Sequence, residues 1–434
     1  MKQISTTSLR PAVLKQTAAA LLLMAGALTA SAQTIQILYS LPNINVADKP
    51  VGNLLLAPDG VLYGSTYEVP AVFLVAPPQA AGGSWTPAII AQLPFQSIGT
   101  GGVAADPQGN VYVADQRDQF SAGKMYQLTP PASAGGAWTM TAIYTFDDNN
   151  ATGSVPLAAP IYVGHALFGT TSSGGASGSG VVYSLRQVKG VWTYTVLHSL
   201  TGSDGATPGA SLIADRNGNL YGTTIGGGSA GQGVAFEISP PALAGEPWTY
   251  QVLYSFKGGD DGAQPQAGLT LNAEGSLYGT TSEGGNSVQC NGAENIWNGC
   301  GTVFRLSRAS SGTGEWSETI LHRFTGYYNG QDGGAPLGSM SFDQHGILYG
   351  TTACGGSENQ GIIFSLTPPT SPGGSWSYGI ALNFDTGSNN PGMQPFGGLV
   401  RGAGGNLFGT TSTYDWDYGT SFYYGTVFEF TPAP

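Results

Sequence analysis

Leu220-Tyr221-Gly222-Thr223-Thr224 is a phrase that the chain repeats. It returns as Leu62-Tyr63-Gly64-Ser65-Thr66, Val111-Tyr112-Val113-Ala114-Asp115 and Leu167-Phe168-Gly169-Thr170-Thr171. Later it reads Leu277-Tyr278-Gly279-Thr280-Thr281, Leu348-Tyr349-Gly350-Thr351-Thr352 and Leu407-Phe408-Gly409-Thr410-Thr411. From Gly64 to Gly409 the mean period is about 57 residues, a little above the span that signals an array of one supersecondary unit.

Each period reads as four β-strands. In the fourth repeat, Ala210 to Ala214 is a first run, and Asp215-Arg216-Asn217-Gly218 is a tight turn. Asn219 to Thr224 is the second run, Val234 to Ile238 the third and Trp248 to Phe256 the fourth. Period-two alternation, β-branched and aromatic enrichment, and Gly/Pro punctuation favour strands over helices. Four strands in each of seven units predict an all-β fold, a seven-bladed β-propeller of four-stranded blades. The last repeat ends after its third strand, Val427 to Phe430. Its missing fourth strand matches Ile35-Gln36-Ile37-Leu38-Tyr39-Ser40, which predicts that the N-terminal strand completes the last blade and removes an open edge. Residues 33–434 then form a single propeller domain. The phrase's glycine predicts close approach by another side chain. An aromatic from the neighbouring blade is the expected visitor, foremost the tryptophan that opens the fourth strand (Trp85, Trp138, Trp192, Trp248, Trp316 and Trp376).

Gly218 to Thr224, the Gly-Gly loop after it, Val303-Phe304-Arg305-Leu306 and Leu253-Tyr254-Ser255-Phe256 resemble the Gloeo/Verruco (GloVer) repeats of exported bacterial proteins. The second repeat departs, and Asp106 to Asp115 is more similar to NHL-type propeller repeats. The resemblance implies no established activity and carries over no catalytic residue.

Residues 1–32 read as a signal peptide. Lys2, Arg10 and Lys15 precede a short apolar core, Ala18 to Leu28, and Ala30-Ser31-Ala32 is a small-x-small cleavage site. The core is shorter than the roughly 20 residues that span a bilayer. A secreted, periplasmic or cell-surface location after cleavage near Ala32 is therefore expected. The whole chain carries a formal net charge of −12, and loss of three basic residues with the leader takes it to −15. Such an acidic protein repels phosphate backbones and anionic lipid, so neither a nucleic-acid partner nor membrane insertion is expected. A monomer with a glycan or surface-protein ligand is the expected state.

The loops between second and third strands and between repeats share one face, which collects the long, acidic and aromatic segments. Function tends to sit on such loops. Asp147 and Asp148, Asp204, Asp260 and Asp261, Asp332 and Asp385 occupy corresponding connections. Paired carboxylates there suit Ca²⁺ or acid/base work, against the plainer reading of turn chemistry beside glycine. Tyr414, Trp416, Tyr418, Tyr423 and Tyr424, joined by Tyr327 and Tyr328, offer aromatic faces for sugar rings. Cys290 and Cys300 are the candidate disulfide, with Cys354 as an alternative partner for either. No catalytic residue and no metal ligand set is assigned, because no nucleophile elbow, zinc motif or phosphate loop occurs. His198 and His322 fall at the tyrosine position of the fourth strand and read as structural. The functional expectation is a non-enzymatic ligand-binding propeller. Alternatives are an extracellular polysaccharide or small-molecule lyase or hydrolase using face carboxylates, and a structural envelope protein.

Overall fold

A computed structural model describes residues 33–41, 49–67, 69–80, 82–94, 100–116, 122–133, 135–147, 151–243, 245–285, 299–309, 314–326, 331–371, 373–385, 392–412 and 425–433. The described residues form an all-β, propeller-like arrangement in which strands pair with their sequence neighbours. The fourth repeat shows how the sequence builds one unit, from Ile213–Ala214, Leu220–Thr224, Val234–Ser239 and Thr249–Ser255. Asp215 makes the first turn, its Oδ1 accepting the Asn217 and Asn219 backbone N–H groups at 2.8 and 2.9 Å. Its Oδ2 accepts the Tyr221 hydroxyl at 3.2 Å, which ties the turn to the recurring phrase. Asp106 does the same for Gln108, Asn110 and Tyr112.

Every position of the phrase has a packing task. Leu220 and Tyr221 are buried. The Thr223 hydroxyl donates to the Ala267 carbonyl of the next repeat at 3.2 Å, and Thr280 and Thr351 reach Pro336 and Gly397 in the same way. Thr224 donates to the Gly226 carbonyl and accepts the Val234 N–H, closing its own repeat's loop. Gly222 faces Phe236 across the sheet, and a Cβ there would lie 2.5 Å from the Phe236 Cζ. This corrects the expected visitor, which comes from the third strand of the same repeat and not from a neighbouring one. The tryptophans instead pack on the tyrosine or phenylalanine of the preceding repeat, as in Trp192 on Tyr112 (5.8 Å) and Trp376 on Tyr278 (5.7 Å). Cross-strand pairing explains the outcome: residues directly opposite on adjacent strands approach most closely.

Five sheets have four strands each. Four of them span residues 161–199, 213–255, 270–323 and 341–383, and the fifth joins the chain's two ends. The remaining eight strands form one sheet, so the expected seven separate blades are not what the hydrogen bonding draws. The reason is local. Asn53 pairs in parallel with Gly102, which joins the first strands of two four-stranded meanders, 50–92 and 100–145.

Thr34–Ser40 pairs antiparallel with Thr426–Thr431, completing the last repeat's sheet. The same β-bulge recurs in this strand, where Leu38 is skipped, and in the fourth strand of the fourth repeat, where Leu253 is skipped. Both leucines are buried, so the bulge turns an extra apolar residue inward. Trp85 of the first repeat packs on Phe408 of the last at 5.7 Å, and the Ser412 hydroxyl donates to the Pro50 carbonyl at 2.7 Å. At the axis a Cβ on Gly397 would lie 2.4 Å from the Gly52 carbonyl oxygen. The first and last repeats therefore meet at the outer strand, the core and the axis.

Candidate functional site

Three groups of residues occupy the end of the fold where second strands finish and first strands begin. The first is the set of acidic connections. Asp204 accepts the Thr201 backbone N–H at 2.7 Å, and its other oxygen lies 2.8 Å from the His198 Nε2. Asp332 repeats the arrangement with the Thr325 N–H at 2.8 Å and His322 Nε2 at 3.1 Å. Asp261 does so with the Lys257 N–H at 2.7 Å and the Tyr254 hydroxyl at 2.5 Å. Burial pulls the Asp204 and Asp332 carboxyls upward, but the hydrogen bonds they accept prevail and hold both below the usual carboxylate range. The Asp204 and Asp332 clamps are each stapled by the next repeat. Tyr250 stacks on His198 at 3.9 Å and donates to the Asp204 carbonyl, and Tyr378 stacks on His322 at 3.7 Å and donates to the Asp332 carbonyl. These carboxylate oxygens are engaged within their own loops. Among the described residues, no group of three His, Cys, Asp or Glu side chains is placed to hold a metal ion.

The second group breaks that pattern. Glu318 occupies the fourth-strand position of Tyr250 and Tyr378, opposite Leu306 as they lie opposite Ile238 and Leu366. Its Oε1 is buried without a hydrogen-bond partner. Burial, followed by the Asp261 charge, pushes the carboxyl up to about 7, against a smaller downward pull from Arg323 and Lys257. Asp260 is exposed, and only its backbone carbonyl is tied down, by the Arg323 Nε at 3.1 Å. The signal for Glu318 was in the sequence as a glutamate at a tyrosine slot, visible once the repeats are aligned.

The third group is a cavity on the axis, of about 240 Å³, to which all seven repeats contribute. Asn53, Gln116, Ser211, Gln266 and Ser339 supply amides and hydroxyls, and Tyr67 and Phe396 supply aromatic rings. Asn53 is fixed by donating to the Ser339 hydroxyl at 2.9 Å and accepting the Gly398 N–H at 2.8 Å. Gln266 donates to the Ser282 hydroxyl at 2.9 Å. Among the described residues the Gln116 amide has only a long contact of 3.5 Å, to the Leu157 carbonyl. Among the described residues, no Asp, Glu, Lys, Arg or His lines the cavity. It lies at the end bearing the long loops: Tyr67 and Gln116 directly follow second strands, and Ser211 and Gln266 precede first strands.

The expected aromatic cluster of Tyr327, Tyr328, Tyr414, Trp416, Tyr418, Tyr423 and Tyr424 lies outside the described residues, as do Cys290, Asp148 and the leader. Cys300 is buried and disulfide-bonded, whereas Cys354 is a free cysteine whose thiol burial pushes up to about 11. Among the described residues no helix is long and apolar enough to cross a membrane.

The profile of the Gloeobacter/Verrucomicrobia repeat matches residues 99–293. Over that segment the chain carries the Gloeobacter/Verrucomicrobia repeat. No curated protein matches the sequence. Among solved structures, the repeat protein is similar to the extracellular domain of a one-component system from B. thetaiotaomicron. That likeness has a TM-score of 0.51 at 8% identity and covers 90% of this chain and 40% of that one. A PQQ-bound aldose sugar dehydrogenase from Streptomyces coelicolor gives 0.47 at 11% identity, covering 92% and 98%. A carbohydrate-active enzyme of family AA12 from Trichoderma reesei gives 0.46 at 12%, covering 93% and 96%. At such identities the likeness concerns the fold alone.

Proposed function

We propose that this Gloeobacter/Verrucomicrobia repeat protein is an exported, non-enzymatic, seven-bladed propeller that binds a glycan at the axial end bearing its long loops. In this reading the eight-stranded sheet acts as two blades joined through Asn53 and Gly102, and residues 33–434 are one monomeric domain. The observation that carries the proposal is the axial cavity, which draws neutral hydrogen-bonding groups and aromatic rings from six of the seven repeats. Concave sites with a few placed polar groups among apolar surface are the usual form of a small-ligand site. The acidic clamps work against a metal-dependent reading, because their oxygens already accept hydrogen bonds. Glycan-array screening followed by calorimetry tests the proposal. Binding of a neutral glycan that weakens on Gln116→Leu supports it, and the absence of any glycan ligand overturns it.

A second reading rests on Glu318. A carboxyl whose pKa is raised to about 7 by burial and by the neighbouring Asp261 is the arrangement that general acid catalysis uses. Turnover of a polysaccharide that disappears in Glu318→Gln would favour a hydrolase or lyase over a binding protein.

A further inference from the structure

We infer that the axial cavity takes the terminal ring of a neutral glycan end-on, one sugar residue deep; this rests on the glycan-binding reading above. Charge decides the first part. The chain is acidic, with a net charge of −12, and the described residues of the cavity offer no cationic side chain to offset an anionic ligand. An anionic sugar would lose its hydration without gaining a countercharge, which is costly in a partly dry site. A cation would find no carboxylate among the described lining residues.

Hydrogen-bonding capacity decides the second part. Side-chain amides both donate and accept, and serine hydroxyls do the same, so together they match vicinal hydroxyl groups of either polarity. The Ser211 hydroxyl has no hydrogen-bond partner among the described residues, and Gln116 is held only by its long contact to Leu157. Both are half-buried and lie where a ligand reaches them. Tyr67, 40% exposed, presents an apolar ring with a polar tip, the form of side chain that packs on a sugar face.

Volume and enclosure decide the third part. About 240 Å³ equals roughly eight waters at the liquid's volume per molecule, or one hexose of about twelve heavy atoms packed at interior density. The walls come from every repeat around the axis, so a glycan seated there leaves along the axis only. An internal residue, linked on both sides, would bring a further ring into a volume that holds one; a chain end does not.

The experiment is calorimetry on the full mature chain with paired linear and cyclic neutral glucans of the same linkage, and with linear polyuronates. The linear neutral glucan should bind at least tenfold more tightly than its cyclic counterpart and than the polyuronate. Gln116→Leu and Ser211→Ala, each with its fold checked by circular dichroism, should each weaken binding about fivefold or more. Equal binding of linear and cyclic glucans overturns end-on recognition while leaving glycan binding intact. Tighter binding of the polyuronate overturns the neutral class, and unchanged binding in both variants places the glycan elsewhere. Failure of every glycan overturns this inference and the proposed function together.

Discussion

Replacing Gly222 with alanine tests the packing logic of the recurring phrase. The new Cβ would lie 2.5 Å from the Phe236 Cζ and 2.7 Å from a Leu212 methyl, where carbon atoms prefer about 3.5–4.0 Å. Phe236 is fully buried, so its ring has about 1 Å to yield and little room in which to yield it. Overpacking of this kind costs about 1–3 kcal/mol, and the gain of about 0.5–1 kcal/mol from replacing a strand glycine offsets part of it. A net loss of about 1–2 kcal/mol is expected. The partner of the clash is named, which makes a double-mutant cycle decisive. In a Phe236→Leu background the nearer clash disappears and only the Leu212 methyl remains, so Gly222→Ala should cost about 1 kcal/mol less, a coupling of that size. Trp248→Phe, by contrast, should leave the cost of Gly222→Ala unchanged, because Trp248 packs on Phe168 at 5.5 Å. Urea denaturation followed by circular dichroism provides the four stabilities. The reasoning fails if Gly222→Ala costs the same with Phe236 and with leucine, or if Trp248→Phe is what relieves it.

Three further perturbations follow from particular contacts. Glu318 has a folded pKa raised to about 7 from an ordinary 4.5, so its contribution is fully present below about pH 4.5 and is lost as pH rises through 7. The side chain is partly exposed, so Glu318→Gln should gain only about 1–2 kcal/mol relative to wild type at pH 8 and nothing at pH 4, as read by thermal melts across pH. A gain independent of pH would refute the assignment. Asp332 is held below its ordinary pKa by His322 and Thr325, so its contribution is present above the unfolded carboxylate pKa and fades as pH falls through the folded value. Asp332→Asn should cost about 1–2 kcal/mol near neutrality and flatten the acid limb of the stability profile, whereas an unchanged acid limb would contradict the clamp. Deleting residues 33–41 should expose the edge of Thr426–Thr431 and cause aggregation visible by light scattering, whereas a soluble monomer with unchanged melting would contradict closure by the N-terminal strand.

The fold was legible because its determinants are local and recur. Turn carboxylates such as Asp215, the alternation along Leu220 to Thr224, and the unpaired last repeat each announce themselves in the sequence. Sheet membership was less legible, since one parallel bridge between Asn53 and Gly102 depends on how closely two first strands approach the axis. The glycine's visitor was misread because strand order shows which residues share a face, whereas Gly222 opposite Phe236 is a matter of register. The site was the least legible part. Gln116, Ser211 and Gln266 are unremarkable residues at strand ends and become a group only when the repeats converge on the axis. Glu318 was readable in principle, because it departs from Tyr194, Tyr250 and Tyr378 at one repeat position. The acidic residues drew attention as a charge pattern, yet the hydrogen bonds of Asp204 and Asp332 make them anchors for the fourth strand.

Hydrogen exchange of residues 33–434 with and without a saturating linear neutral glucan tests the central claim most directly. The account predicts added protection in segments 51–53, 209–211, 266–268 and 337–339, which come together only at the axis. Protection confined to the outer strands, or no change in any of the four segments, would contradict it.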